Sequence, residues 1–108
     1  MTMLQTQMIK GFIEGFILET IHHQTLSSVE IIKYLKERAN LDISEGTIYP
    51  LMLRMEKDQL VIAEQIYNPN GPKIKKYSIT PLGLKELTDI KEYWQNFKQT
   101  AKTLLEDK

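Results

Sequence analysis

Residues 44–65 read SEGTIYPLMLRMEKDQLVIAEQ, and this stretch decides which fold is predicted. Ser44 is a residue type that caps helices, and apolar side chains then recur at three- and four-residue steps at Ile48, Leu51, Met52 and Met55. From Leu60 onward the pattern alternates, as in a half-buried strand. A short amphipathic helix that leads directly into a strand is typical of a recognition helix followed by a wing, so DNA is the first partner to consider.

Composition limits the classes of function that the chain can have. Its 108 residues suffice for one domain but are short for an enzyme with a deep cleft, and 14 Lys and Arg balance 14 Asp and Glu. Any affinity for nucleic acid must therefore come from where the basic residues lie. With no Cys, the chain has no disulfide, thiolate zinc site or cysteine nucleophile. No signal peptide and no membrane-spanning run is apparent, so we expect a soluble, cytoplasmic protein.

Two further helices are predicted before the opening stretch. Between residues 8 and 21 the apolar side chains form one helical stripe, consisting of Met8, Ile9, Phe12, Ile13, Phe16, Ile17 and Ile21. Ser27 or Ser28 can cap a second helix, whose inward positions are predicted to be Val29, Ile32, Leu35 and Ala39. Three short helices in succession indicate a helix-turn-helix core. Pro50 disturbs this pattern, and we expect either a kink there or a helix that tightens only after Thr47.

A basic hairpin is predicted after the third helix. Residues 60–67 and 74–79 are rich in β-branched and aromatic side chains and flank the turn sequence NPNGP at 68–72. Three lysines, Lys73, Lys75 and Lys76, lie in a segment without acidic residues, as in a DNA-binding wing. Alternation places Lys73 and Lys75 on one face, so these two are favoured for phosphate contact. A charged edge strand would also block aggregation between sheets, and both roles are compatible.

The last helix is predicted to begin at Thr80, with Pro81 at its first position, although Gly83 weakens its first turn. An apolar seam then extends over nearly three heptads, at Leu87, Ile90, Trp94, Phe97, Ala101 and Leu104. The rest of the domain can cover only part of this seam. We therefore predict a mainly α fold with a small β-hairpin (α+β), namely a winged helix-turn-helix domain over residues 1–79 and a long C-terminal dimerisation helix over residues 80–108.

Three motifs occur together and in order, namely GTIYP at 46–50, RMEK at 54–57 and the spacing from Lys76-Tyr77 through Thr80 to Gly83. With them the chain resembles the PadR family of winged helix-turn-helix transcriptional regulators over nearly its whole length. The family carries proline at the place of Pro50. The resemblance implies a homodimeric repressor whose last helix forms the dimer interface. It also implies, as in short multidrug-binding members, that a planar aromatic or cationic compound relieves repression.

The chain departs from the family pattern at two places. The second helix begins with Ser27-Ser28-Val29 where the family usually has a Tyr-Gly-Tyr-like sequence, so aromatic side chains that could pack on the DNA backbone are missing. The strand that often carries a tryptophan reads Ala63-Glu64-Gln65-Ile66.

The predicted DNA contacts lie on the third helix, on the wing and at the start of the second helix. On a helical wheel, one face of the third helix lies opposite the apolar stripe and can reach the groove or the phosphates. The full predicted set is Ser28, Gly46, Thr47, Tyr49, Pro50, Arg54, Lys57, Lys73, Lys75 and Lys76. An ordinary solvated face is the competing interpretation of the charged residues.

A ligand site is predicted around Trp94. The resemblance implies that a tryptophan at this place stacks on planar ligands at the dimer centre, whereas core packing is the usual role of an aromatic on a seam. On the first helix Met8, Gly11 and Gly15 could leave room beside it, and Glu14 could favour a cation; alternatively, the two glycines allow close helix packing. The dimer interface is predicted to combine Phe12 with the seam residues Leu87, Ile90, Trp94, Phe97, Ala101 and Leu104.

The sequence contains no convincing catalytic or metal-binding arrangement. The adjacent His22 and His23 point about 100° apart on a helix and do not chelate from one face, so neither a metal nor a cofactor is predicted. A winged-helix protein-interaction module or adaptor without sequence-specific DNA binding is the alternative function, favoured by the neutral net charge and by the departure at residues 27–29. An enzyme is a remote third option.

Overall fold

The architecture is that of a winged helix with a long C-terminal helix. A computed structural model of the chain describes the backbone of residues 3–106 and the side chains of residues 12–106. Its elements are α1 (Met3–His22), β1 (Leu26–Ser27), α2 (Ser28–Ala39), α3 (Glu45–Lys57), β2 (Val61–Ile66), β3 (Ile74–Ile79), α4 (Pro81–Ala101) and a π-helical turn (Lys102–Glu106). This confirms the predicted α+β fold. None of the helices described is both long and apolar enough to cross a bilayer.

The core is formed by one apolar stripe from each of the first three helices, closed by the sheet and by the start of α4. Its buried members are Ile13, Ile17, Leu18, Ile21, Leu26, Ile31, Leu35, Ile43, Ile48, Met52, Met55, Leu60, Val61, Tyr77 and Leu87. The stripe predicted for α3 is confirmed, since Ile48, Met52 and Met55 are fully buried. The stripe predicted for α2 was partly wrong. Val29 is 60% exposed because it lies about 200° around the helix from the buried Ile31, and Ala39, at the end of the helix, is also exposed.

The start of α2 is set by a reciprocal cap. The Ser27 hydroxyl accepts a hydrogen bond from the Glu30 backbone N–H at 3.2 Å, and the Glu30 carboxylate accepts one from the Ser27 N–H at 3.0 Å. These contacts, led by the Ser27 N–H, lower the pKa of Glu30. Of the two predicted caps, Ser27 is therefore the one used, and Ser28 is the first residue of the helix.

We expect Ser27→Ala to lower the free energy of unfolding by about 1 kcal/mol, because it removes the side-chain acceptor of this cap. Ser28→Ala is the matched control and should leave stability nearly unchanged. Chemical denaturation followed by circular dichroism measures both. Equal losses in the two variants would contradict this assignment of the cap.

Pro50 lies inside α3, and the helix runs from Glu45 through it to Lys57. The expectation that the helix tightens only after Thr47 was therefore wrong. Pro50 cannot donate to the Gly46 carbonyl one turn earlier, but both residues are exposed, so water can bond to that carbonyl. The Ser44 carbonyl accepts hydrogen bonds from Thr47 and Ile48 at 3.1 Å, whereas the Ser44 side chain makes no capping bond to the backbone.

The predicted hairpin is confirmed and forms part of a three-stranded antiparallel sheet. β2 and β3 pair from Val61↔Ile79 to Ile66↔Ile74. β1 was not predicted; it pairs with the other edge of β3, so β3 is the central strand. The strand that carries Lys75 and Lys76 is therefore held on both sides near its base.

The junction between the wing and α4 is tightly packed. The Thr80 hydroxyl accepts a hydrogen bond from the Gly83 N–H at 2.9 Å and lies within donating distance of the Gln59 and Leu60 carbonyls, at 2.7 and 3.1 Å. A Cβ on Gly83 would lie 2.1 Å from the Leu60 carbonyl oxygen. Gly83 therefore permits a close approach of α4 to the backbone that precedes the wing. Farther along α4, residues 91–100 are all exposed.

Candidate DNA-binding surface and apolar groove

The outer face of α3 displays most of the residues predicted to contact DNA. Its exposed members are Gly46, Tyr49, Pro50, Leu53, Arg54 and Lys57, and Thr47 is half-buried beside them. This face lies opposite the buried stripe of the same helix, as the helical wheel predicted. It combines a phenol, a guanidinium and an ammonium group on one surface, which is the set of donors that phosphates and base edges accept.

Two side chains of this face have neighbours that bear on their chemistry. Desolvation, and then the Glu45 carboxylate one turn earlier, raise the pKa of Tyr49, which is protonated at neutral pH even without this shift. Arg54 Nη2 lies 3.8 Å from Glu14 Oε2 on α1, but the Arg54 side chain is still 61% exposed. Most of its donors are therefore free to reach a ligand.

The wing lysines differ in their surroundings. Lys73 is exposed, whereas Lys75 Nζ lies 2.8 Å from Glu56 Oε1 on α3 and 5.7 Å from the centre of the Tyr77 ring. The hydrogen bond to Glu56 is the main cause of a raised Lys75 pKa. Lys76 Nζ lies 3.4 Å from Glu30 Oε1. The preference for Lys75 as a phosphate contact does not fit this arrangement, because its ammonium already has a partner within the fold.

A second surface is an apolar groove of about 220 Å³ between α1 and α4. It is lined by Phe12, Gly15, Phe16, Glu19, Leu87, Ile90, Lys91 and Trp94. Trp94 is 42% exposed, and its ring meets that of Phe12 edge-on at a centroid distance of 5.4 Å. The groove thus offers aromatic walls with a charged pair, Glu19 and Lys91, whose nearest oxygen and nitrogen are 2.8 Å apart.

The predicted ligand residues are only partly brought together here. Gly15 and Trp94 line the groove, and a Cβ on Gly15 would lie 2.7 Å from Ile90 Cγ2, which supports the close-packing role of this glycine. Glu14 does not line it, because its carboxylate points toward α3 and Arg54. Met8 and Gly11 lie outside the residues whose side chains are described.

The carboxylate that does line the groove is Glu19, which the sequence interpretation missed. It lies four residues after Gly15, and this helical spacing places both on one face of α1. Its pKa is lowered chiefly by the Lys91 ammonium, whose Nζ lies 2.8 Å from Glu19 Oε2, and the carboxylate is negatively charged at neutral pH.

The predicted dimer seam changes character along α4. Leu87 is 4% exposed and belongs to the core of its own chain, because the first turns of α4 pack on α1. Phe12, Ile90 and Ala101 are half-buried. The rest of the seam is open to solvent, with Trp94 42%, Phe97 47% and Leu104 74% exposed.

The pKa of Glu14 is raised, mainly by desolvation and next by the Glu86 carboxylate. The Glu14 carboxyl group therefore holds its proton more tightly in the folded protein than in the unfolded chain. The contribution of Glu14 to stability is accordingly lost as the pH rises from below 4.5 through the raised pKa. We expect Glu14→Gln to raise the free energy of unfolding at about pH 7 relative to wild type, and to have less effect at about pH 4.

Urea denaturation at the two pH values measures this difference, with the exposed Glu92→Gln as control. A loss of stability at neutral pH in Glu14→Gln alone would mean that the Arg54 contact outweighs the desolvation of the carboxylate.

Within the described part of the chain, no group of three or more His, Cys, Asp or Glu residues could hold a metal ion. His22 and His23 are both exposed, and His23 Nε2 lies 3.3 Å from Glu19 Oε1.

The chain is similar to known transcriptional regulators in both sequence and structure. The profile of the transcriptional regulator PadR-like family matches residues 17–89. A PadR-like transcriptional regulator from Bacillus cereus is 37% identical, with 94% of this chain and 99% of that chain covered and a TM-score of 0.81. A PadR-like transcription factor from Bacteroides fragilis is 33% identical, with coverages of 94% and 97% and a TM-score of 0.80.

A PadR family transcriptional regulator from Eggerthella lenta has the same fold, with a TM-score of 0.89 at 23% identity, and the match covers 97% of this chain and 91% of that chain.

Proposed function

Because the chain belongs to the PadR-like family of transcriptional regulators, we propose that it acts as a homodimeric repressor that binds a pseudo-palindromic operator and is released by a planar effector. The family membership carries DNA binding. The observation that best supports the homodimer and the effector site is the exposed aromatic seam of α4, which continues beyond the domain that carries α3.

For the DNA complex, we place α3 in the major groove with its outer face toward the bases. Thr47 and Tyr49, near the start of the helix, read base edges, while Arg54, Lys57 and Lys73 contact phosphates. Since the net charge of the chain is zero, this local cluster of donors supplies the attraction. Two-fold symmetry would set the half-sites about 34 Å apart, one turn of the double helix.

For the dimer, the seam from Trp94 to Ala101 packs against a second copy. Trp94 and Phe97 have stacked rings with centroids 6.3 Å apart, so each chain presents a preformed aromatic surface. Exposed apolar surface of this kind is typical of an interface. The remaining polar face of α4 stays in solvent.

For the effector, a planar aromatic compound binds in the groove beside Trp94 and favours a dimer geometry that does not fit the operator. Glu19 gives the groove a negative group, which is consistent with a cationic guest. Its partner Lys91 lies at the same site, so a cation would have to exchange with this lysine.

DNA binding is tested by fluorescence anisotropy with DNA from upstream of the chain's own gene and with random DNA of the same length, over a range of salt. We expect Lys73→Ala to weaken binding to both DNAs and to reduce the salt slope, whereas Tyr49→Phe and Thr47→Ala change the preference between them. Equal affinity of the wild-type protein for both DNAs would instead favour the protein-interaction module.

The effector step is tested with planar cationic dyes. The chain has one tryptophan, so quenching of its fluorescence reports binding beside Trp94. We expect quenching together with loss of operator affinity. Quenching without any change in operator affinity at saturating dye would show that binding in the groove does not regulate DNA binding, and it would contradict this step.

A further inference from the structure

The side chain of Lys75 on the wing contacts other residues of its own chain. Its ammonium lies 2.8 Å from Glu56 on the last turn of α3 and 5.7 Å from the centre of the Tyr77 ring. Both the Lys75 and Glu56 side chains are 36% exposed. A charge-assisted hydrogen bond over an aromatic ring is among the stronger polar contacts that a surface lysine makes.

We propose that Lys75 and Glu56 form a positioning pair that holds the wing against the recognition helix, and that Lys73 supplies the phosphate contact of the wing. This inference rests on the proposed DNA-binding function. Lys75 then acts through its contact with Glu56. The operator affinity depends on where this contact holds the wing and not on the charge of Lys75 itself.

The location of the pair in the hairpin supports this role. The base of the hairpin is anchored in the core by Val61 and Tyr77, which are 2% and 4% exposed. Toward the tip, Ile66, Tyr67 and Ile74 are all exposed. Among the hydrogen bonds and ion pairs of residues 12–106, the Lys75–Glu56 contact is the one that joins β3 directly to α3. Removing it would leave the outer half of the wing without a polar connection to the helix that reads the DNA.

Electrostatics favours the same assignment. Glu56 lies on the helix that approaches DNA, where an isolated carboxylate would repel phosphates. Pairing cancels its charge against that of Lys75. If Lys75 turned to a phosphate, Glu56 would be left unpaired near a polyanion, so the exchange would gain little. Lys73 is exposed and, among the ion pairs of the described residues, has none to break.

The salt dependence of operator affinity tests the proposal. Each phosphate contact that is lost lowers the slope of log K against log salt by about 0.9. We expect this reduction in Lys73→Met. In Lys75→Met, which keeps an unbranched stem on Tyr77, and in Glu56→Gln, we expect affinity to fall about twofold to fivefold with an unchanged slope. The double variant should be no weaker than either single one, and Lys75→Arg should retain wild-type binding.

If Lys75 contacts phosphate and Glu56 competes for it, Lys75→Met lowers the slope and Glu56→Gln strengthens binding. Asp58→Asn removes one negative charge near the same end of α3 and is the control for general electrostatics. Strengthening by Glu56→Gln beyond that control would overturn the proposal.

Hydrogen exchange of the free protein separates this test from the proposed function. Amides of β2 and β3 toward the tip should exchange faster in Lys75→Met and in Glu56→Gln, and at the wild-type rate in Lys73→Met. Unchanged exchange in the first two variants would overturn the positioning role. If the wild-type protein bound no DNA specifically, the proposed function would fail, while the exchange rates would still decide whether the pair holds the wing.

Discussion

Gly83→Ala is expected to lower the free energy of unfolding by about 3 kcal/mol or more, toward the upper end of the effect of overpacking. The added Cβ would lie 2.1 Å from the Leu60 carbonyl oxygen and 2.8 Å from Ile79 Cγ1. A flexible side chain could move away, but the carbonyl belongs to the backbone and also accepts a hydrogen bond from the Thr80 N–H at 3.1 Å. Relief therefore requires α4 to shift away from the wing junction.

Gly46→Ala is the matched control, because Gly46 is also helical but its added Cβ meets only the Ser44 hydroxyl, at 3.8 Å. We expect its stability to be unchanged or raised by up to about 1 kcal/mol. Its operator affinity should fall, since Gly46 lies on the outer face of α3. Thermal and urea denaturation compare the two variants; a similar small effect in both would show that the α4 junction can relax.

Phe97→Glu is expected to convert the proposed dimer into a monomer and to reduce operator affinity at least 100-fold. Phe97 is 47% exposed, and its ring centroid lies 6.0 Å from that of Phe12. A carboxylate at this place would be buried without a partner in each copy, at a cost of about 3–5 kcal/mol, and each factor of ten corresponds to about 1.4 kcal/mol. A monomer also loses the second half-site.

Gln99→Glu adds the same charge about 200° around α4, on the face opposite the seam, and should leave the dimer intact. Analytical ultracentrifugation gives the oligomeric state, and circular dichroism establishes that both variants fold. A dimeric Phe97→Glu variant would show that the seam is not the interface. A monomeric wild-type protein that still binds a palindromic operator tightly would reject the dimer altogether.

The helices and the hairpin could be predicted because their burial follows simple periods. The 3.6-residue period in α3 is carried by three fully buried side chains, Ile48, Met52 and Met55. β1 consists of only Leu26 and Ser27, which is too short to show alternation. The need for a glycine at Gly83 also could not be predicted from a local pattern, because the carbonyl that requires it comes from Leu60, 23 residues earlier.

For the candidate site, the sequence predicted which residues share a face of a helix, but not which side chains they contact. Alternation predicted Lys73 and Lys75 on one face, but β3 begins at Ile74, so Lys73 precedes the strand. The carboxylate that holds Lys75 comes from α3, 19 residues earlier. Glu14, which was predicted to favour a cation beside Trp94, does not line the groove, for a related reason. The spacing of Gly15 and Glu19 places both on one face of α1, but which face of α1 meets α4 depends on packing between segments that are far apart in the sequence.

The π-helical turn at Lys102–Glu106 bears on how far two copies of α4 can interlock. A coiled coil needs each side chain of the stripe to return to the same angle every seven residues. Hydrogen bonds to the fifth residue widen the helix and take up more residues per turn, so this phase is lost after Ala101. Leu104 and Leu105, which are 74% and 77% exposed, would then emerge at angles that a regular repeat does not match. The packing of the two helices would accordingly end near Ala101.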